Sequence, residues 1–154
     1  KTMLKATVGP SADMVARYRF VTKGEEIFGY YSGNSFANQL GISMQVPRKI
    51  EIVSNNSNSS PREIEIGGRK FLIRKSSIVI NRENVYVLQL LELLKNIEVY
   101  MDGSYDEARV KIEEYIDIHD IRKESVNRYI REFPINVFKN YYELGLDNVF
   151  AQRK

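Results

Sequence analysis

Gly29-Tyr30-Tyr31-Ser32-Gly33-Asn34-Ser35-Phe36-Ala37-Asn38-Gln39-Leu40-Gly41-Ile42-Ser43-Met44-Gln45-Val46-Pro47, continuing past Arg48 into Lys49-Ile50-Glu51-Ile52-Val53, decides how this chain is read. Phe36, Ala37 and Leu40 fall at i, i+1 and i+4 and form one apolar stripe of a short helix. Gly41 stands just past its end, where a left-handed backbone costs glycine least. Pro47 forbids further helix, and Ile50, Ile52 and Val53 predict a strand over 49–54. The stretch therefore reads as helix, tight stop, linker and buried strand.

Ala37-x-x-Leu40-Gly41-Ile42-Ser43 has the look of the first helix and turn of a helix-turn-helix, but that motif needs a recognition helix next. Met44, Gln45, Val46 and Pro47 do not supply one. As a whole the block Gly-x-x-Ser-Gly-x-Ser-Phe-Ala-Asn-x-Leu-Gly-Ile-Ser-x-Gln-Val-Pro, with a strand ending Ser54-Asn55, resembles the effector region of AbiEi-type antitoxins and related regulators. Gly29, Gly33, Ser35, Ala37, Leu40, Gly41, Gln45 and Pro47 carry the resemblance, which covers roughly residues 11 to 100. It implies the non-catalytic antitoxin part of a bacterial toxin–antitoxin (abortive infection) regulator, with a nucleotidyltransferase-like toxin as partner. Family members begin with a winged-helix module. Only ten residues precede the first helix here, so weak or no DNA binding is expected of this chain alone. The alternative is a winged-helix DNA-binding regulator using the 35–43 helix and the 62–75 hairpin.

Around the block, Ser11 is placed to cap a helix whose Met14, Tyr18 and Val21 share one face, ending at Gly24. Asn55 to Pro61 is a polar loop. Arg62-Glu63-Ile64-Glu65-Ile66, Gly67-Gly68 and Arg69 to Lys75 form the clearest hairpin, with Ile64, Ile66, Phe71 and Ile73 turned to the core. Ile78, Val79 and Ile80 read as a further strand. From Asn84 the period becomes helical, with Val87, Leu90, Leu91 and Leu94 on a stripe broadened by Val85 and Leu88, which predicts one long helix over 84–101 across the sheet. Ser104 caps the next helix, with Ala108, Ile112 and Tyr115 inward. Asp120–Phe133 gives a third, and Pro134 starts a fourth, carrying Val137, Phe138, Tyr141 and Tyr142 to a stop at Gly145. The fold class is α+β: a small, mainly antiparallel sheet packed by a long helix, with a C-terminal helical cluster. The division is 1–103 for the α+β unit and 104–154 for the helices packed on it.

The 154 residues, 43% hydrophobic and 28% charged, describe a globular chain with room for a core. It contains no cysteine, which excludes disulfides and thiolate metal sites and fits a cytoplasmic location. Lys1-Thr2-Met3-Leu4 lacks the apolar core of a secretory leader, and the chain begins with Lys, as a processed product or a piece of something longer would. No apolar run is long enough for a membrane span. Net charge is +3, divided as 12 − 6 = +6 over residues 1–80 and 11 − 14 = −3 over 81–154. Arg48, Lys49, Arg62, Arg69, Lys70, Arg74 and Lys75 all fall on the sheet or its rims. With Tyr30 and Tyr31 nearby they are candidates for a partner or nucleic-acid surface, although edge-strand lysines also guard sheets against aggregation.

Catalytic chemistry finds little to stand on. His119 is the lone histidine, placed between two helices, where a surface or capping role suits it. Glu113, Glu114, Asp117 and Asp120 lack the spacing of a calcium loop. Glu63-x-Glu65 suggests a nuclease pair, but Gly67 stands where such sites place lysine. Gly67-Gly68 precedes no helix and so is no phosphate cradle. No cofactor and no metal are expected, and no enzymatic activity.

Overall fold

The computed structural model describes residues 10–58 and 60–153. The readings that rest on Lys1 to Leu4 lie outside these. The first helix, α1 (Ala12–Phe20), starts where Ser11 Oγ accepts the Met14 amide. A small hairpin follows, β1 (Thr22–Lys23) and β2 (Glu26–Ile27), with Gly24 in its turn at φ +63°. Then come β3 (Gly29–Tyr31), α2 (Gly33–Leu40), β4 (Lys49–Ser54), β5 (Arg62–Ile66) and β6 (Arg69–Lys75). The C-terminal half is helical: α3 (Val85–Leu94), α4 (Ile97–Tyr100), α5 (Tyr105–His119), α6 (Lys123–Tyr129) with a 3-10 turn at Ile130–Glu132, α7 (Ile135–Glu143) and α8 (Leu146–Ala151). This is the expected α+β arrangement. No helix among the described residues is long and apolar enough to cross a membrane.

The main sheet has the order β3-β4-β6-β5. Its outer pairings are antiparallel, and its central pair, β4 with β6, is parallel. Loop length explains the insertion of β6. A tight turn after Ser54 would set β5 directly beside β4, whereas the stretch 55–61 is long enough to step across one strand position, about 10 Å. The register then places Ile50 opposite Phe71 and Ile52 opposite Ile73, so one face of the sheet is apolar.

That face is covered by α1, not by the 84–101 helix. Ala16 and Phe20 bury against Ile52, Phe71 and Ile73, with Ile64 and Ile66 half-buried at the margin. Of the expected face Met14, Tyr18 and Val21, only Val21, just past the end of α1, joins this core. Met14 and Tyr18 are 61% and 56% exposed, while Ala16 is fully buried, because a small side chain lets the helix lie close to the sheet. The helix ends at Phe20, and Gly24 serves the hairpin instead.

Residues 78–80 are not a strand. Asn55 binds that segment with its side chain, Nδ2 donating to the Ile80 carbonyl and Oδ1 accepting the Ile80 amide, both at 2.9 Å. The amide group stands in for a strand neighbour. The fourth place in the sheet goes to β3. The 84–101 helix is likewise divided at Lys95-Asn96 into α3 and α4. Most of α3 is buried: Tyr30, Val53 and Ile80 meet Val85 and Leu88 on one side. On the other, Leu90, Leu91 and Leu94 share a core with Phe36 and Ala37 of α2, Ile112 and Ile116 of α5, Val126 of α6, Val137 of α7 and Phe150 of α8. This core runs without a break across residue 104. The α5 start is the expected one, a full capping box between Ser104 and Glu107. Gly145, at φ +77°, ends α7 and leads straight into α8, a helix beyond the four expected in this half; Tyr142 is 60% exposed and off the inward stripe.

Candidate functional site

The Gly29–Pro47 block is built as a scaffold. Gly29 lies against α1 so closely that a Cβ there would collide with the Phe20 carbonyl, and Val53 O closes the other side. Gly33 opens α2 at φ +59°, under the Glu51 carboxylate. The Ser35 hydroxyl accepts the Glu51 amide at 2.9 Å, which stitches α2 to β4. Ala37 is fully buried and Leu40 packs at the edge of the same core. Gly41 closes the helix at φ +83°, where its amide reaches Ala37 O and Asn38 O.

From Ile42 to Arg48 the backbone is neither helix nor strand. The place a recognition helix would occupy is therefore a loop, and the 62–75 hairpin is part of a four-stranded sheet. That loop is tied down. The Asn38 side chain donates to Ser43 O (3.0 Å) and Gln45 O (3.1 Å), and Asp102 accepts the Met44 amide. Even so, Met44 and Val46 are 76% and 83% exposed. Pro47 sits half-buried just before β4.

The seven basic residues do not make one surface. Strand alternation puts Arg62, Arg69 and Lys75 on the face that α1 covers, and Lys49, Lys70 and Arg74 on the opposite one. Three of them hold carboxylates: Lys49 with Glu63 (3.1 Å), Arg69 with Asp13 (3.4 Å) and Arg74 with Glu92 (2.6 Å). Arg48, Lys70 and Lys75 are exposed. The Glu63 partnership also gives the suspected nuclease carboxylate a structural role.

Arg74 belongs to a polar cluster at the foot of α3. Glu92 bridges Arg74 and Lys95. Burial works against the Arg74 charge, but the Glu92 carboxylate beside it outweighs this and raises its pKa. Burial also pushes the Glu51 carboxyl up, with Arg74 opposing and Glu92 adding to the rise. Tyr30 is driven far above its ordinary value, first by burial and then by Glu92. The cluster joins sheet to helix. A second polar link lies nearby: Gln89 donates to the Tyr31 carbonyl at 2.9 Å, capping the outer edge of β3, and accepts from the Tyr115 hydroxyl.

His119 ends α5 and is packed, not free on the surface. Its ring stacks on Tyr86 at 3.8 Å between centroids and tilts against Tyr115 at 4.6 Å. Burial lowers its pKa. Among the described residues no three His, Cys, Asp or Glu side chains converge to hold a metal ion. One gathering escaped the sequence reading: Tyr18, Arg19, Lys23, Phe28 and Arg62 line a single groove. They come from separate elements, and only the three-dimensional fold unites them. Comparison with protein-family models, with curated proteins and with solved structures finds no match to this chain.

Proposed function

We propose that this chain is the antitoxin domain of a bacterial toxin–antitoxin regulator of the AbiEi type, acting by binding and not by catalysis, against a nucleotidyltransferase-like toxin. The resemblance of the Gly29–Pro47 block motivates the family. The observation that carries a binding role is the loop that closes the block. Its backbone is held by Asn38 and Asp102, yet it presents Met44 and Val46 to solvent. Apolar side chains on a pre-ordered loop lose little conformational entropy when a partner covers them. The inward residues of the same block are committed to the fold, which leaves the outward ones for recognition. The residues that suggested chemistry, Glu63 and His119, are engaged in an ion pair and an aromatic stack. Loop and strand in place of a recognition helix support weak, sequence-blind contact with duplex DNA at most.

Co-expression tests this reading. The toxin encoded beside this chain should arrest growth when expressed alone, and the chain should relieve the arrest. Met44→Asp with Val46→Asp should abolish the relief while leaving the melting temperature within a degree or two, since both side chains are exposed. A chain that gives no protection against its neighbouring toxin would refute the family reading. Protection unchanged in the double variant would remove the loop from it.

A further inference from the structure

The groove noted above, about 600 Å³ in volume, opens between the C-terminal end of α1, the β1–β2 hairpin, the loop after β4 and the start of β5. It receives Arg19 from α1, Lys23 from β1 and Arg62 from β5, all exposed. Among the described residues none of the three has a carboxylate within 4 Å. One acid, Glu26, shares the groove and is the cross-strand partner of Lys23. Yet Lys23 Nζ lies over the Tyr18 ring, 5.2 Å from its centroid, instead of pairing with Glu26. Tyr18 is 56% exposed and Phe28 half-buried, so two aromatic rings lie among three cations. The wall is fixed where Asn56 Nδ2 donates to the Arg19 carbonyl at 2.9 Å.

We infer that this groove binds single-stranded nucleic acid without sequence preference. Cations lining a groove pair with the phosphates of a backbone, and an exposed ring such as Tyr18, with Phe28 beside it in the groove, accepts the face of an unstacked base, which every base possesses. An acidic peptide would use the cations and leave the rings idle. A duplex keeps its base faces covered, so it too would forgo them. The site does not depend on the antitoxin reading: it shares no residue with the Met44–Val46 loop, and toxin relief is measured separately.

Fluorescence anisotropy with a short labelled oligothymidylate tests the inference. The expected dissociation constant lies between about 10⁻⁴ and 10⁻⁶ M, as for other sequence-blind sites. Binding should fall with salt at a log–log slope near −2, from three contacts at about −0.7 each. Arg19→Ala, Lys23→Ala and Arg62→Ala together should weaken binding at least tenfold and flatten the slope. Tyr18→Leu should weaken it roughly tenfold and leave the slope unchanged, because stacking is not electrostatic. Lys70→Ala with Lys75→Ala, outside the groove, should change affinity less than twofold. All altered side chains are exposed, and a thermal melt on each variant confirms that it is folded. Absence of saturable binding by the unaltered chain overturns the inference. So does equal or tighter binding of a matched duplex or of polyglutamate, or full affinity in Tyr18→Leu.

Discussion

Replacing Arg74 by Met should cost the protein about 2 kcal/mol, and the structure shows why neither a larger nor a smaller figure is expected. Arg74 on β6 meets Glu92 on α3 at 2.6 Å, with the arginine side chain 30% and the glutamate 10% exposed. Removing one partner of a fully buried pair costs about 3–5 kcal/mol, because the other charge is stranded. Losing an exposed pair costs up to about 1 kcal/mol. Arg74 is partly hydrated, and Lys95 remains 3.1 Å from the same carboxylate, so the loss falls between these limits. For a chain of this size it lowers Tm by about 6 °C. Glu92→Leu should cost less, about 1 kcal/mol, since the guanidinium it leaves is the better hydrated of the two. The double variant Arg74→Met with Glu92→Leu should lie within about 1 kcal/mol of the original, as an apolar contact replaces the pair without a stranded charge. Urea unfolding of all four proteins gives the coupling directly. A loss below about 0.5 kcal/mol for Arg74→Met, or a double variant equal to the sum of the singles, would refute the bridging role assigned to Glu92.

Gly29→Ala should destabilise by about 1–3 kcal/mol or more, measured by urea unfolding, because the clash is with the Phe20 backbone and cannot be relieved by a rotamer change. Gly41→Ala should cost about 1 kcal/mol in the same assay, from the left-handed backbone alone, since the nearest atom is the mobile end of Lys111. His119 has a folded pKa below its ordinary 6.5, so the unfolded chain binds its proton first. Its contribution is fully present above pH 6.5 and is lost as pH falls toward the depressed folded value. Thermal melts from pH 8 to 5 should show a decline that His119→Phe reduces, and an unaltered decline would exclude the packed neutral ring as its source.

The hairpin from Arg62 to Lys75 and strand 49–54 were legible with their bounds, because alternation and a Gly67-Gly68 turn are local signals. What the sequence hid depends on partners. Met14 and Tyr18 are spaced as well as Ala12, Ala16 and Phe20 for a helix face. The choice between them is made by how near the sheet α1 must lie, which favours the small Ala16. Ile78-Val79-Ile80 has strand composition, but a distant asparagine took the pairing that would have made it one. β3 was too short to announce itself. The same limit applies to the candidate surfaces. Seven cations close in sequence suggested one basic patch, yet alternation sends them to opposite faces and acids take three. Arg19, Lys23 and Arg62, with no local pattern between them, meet in one groove.

Gly29 is required by the Phe20 carbonyl, Gly33 and Gly41 by positive φ, Ser35 by the Glu51 amide and Ala37 by complete burial. Each of these demands arises inside the chain, so each would hold whatever the protein binds. Residues of this kind report the scaffold and not the partner. The partner must be read from side chains that the scaffold does not need. Within the block the apolar ones are Met44 and Val46, held out on a tethered loop. If they meet a toxin, exchanging them for the corresponding pair of another antitoxin should move specificity without moving stability, whereas exchanging Gly29 or Gly41 should do the reverse. Protection assayed against both toxins, alongside the melting temperature, separates the two kinds of residue.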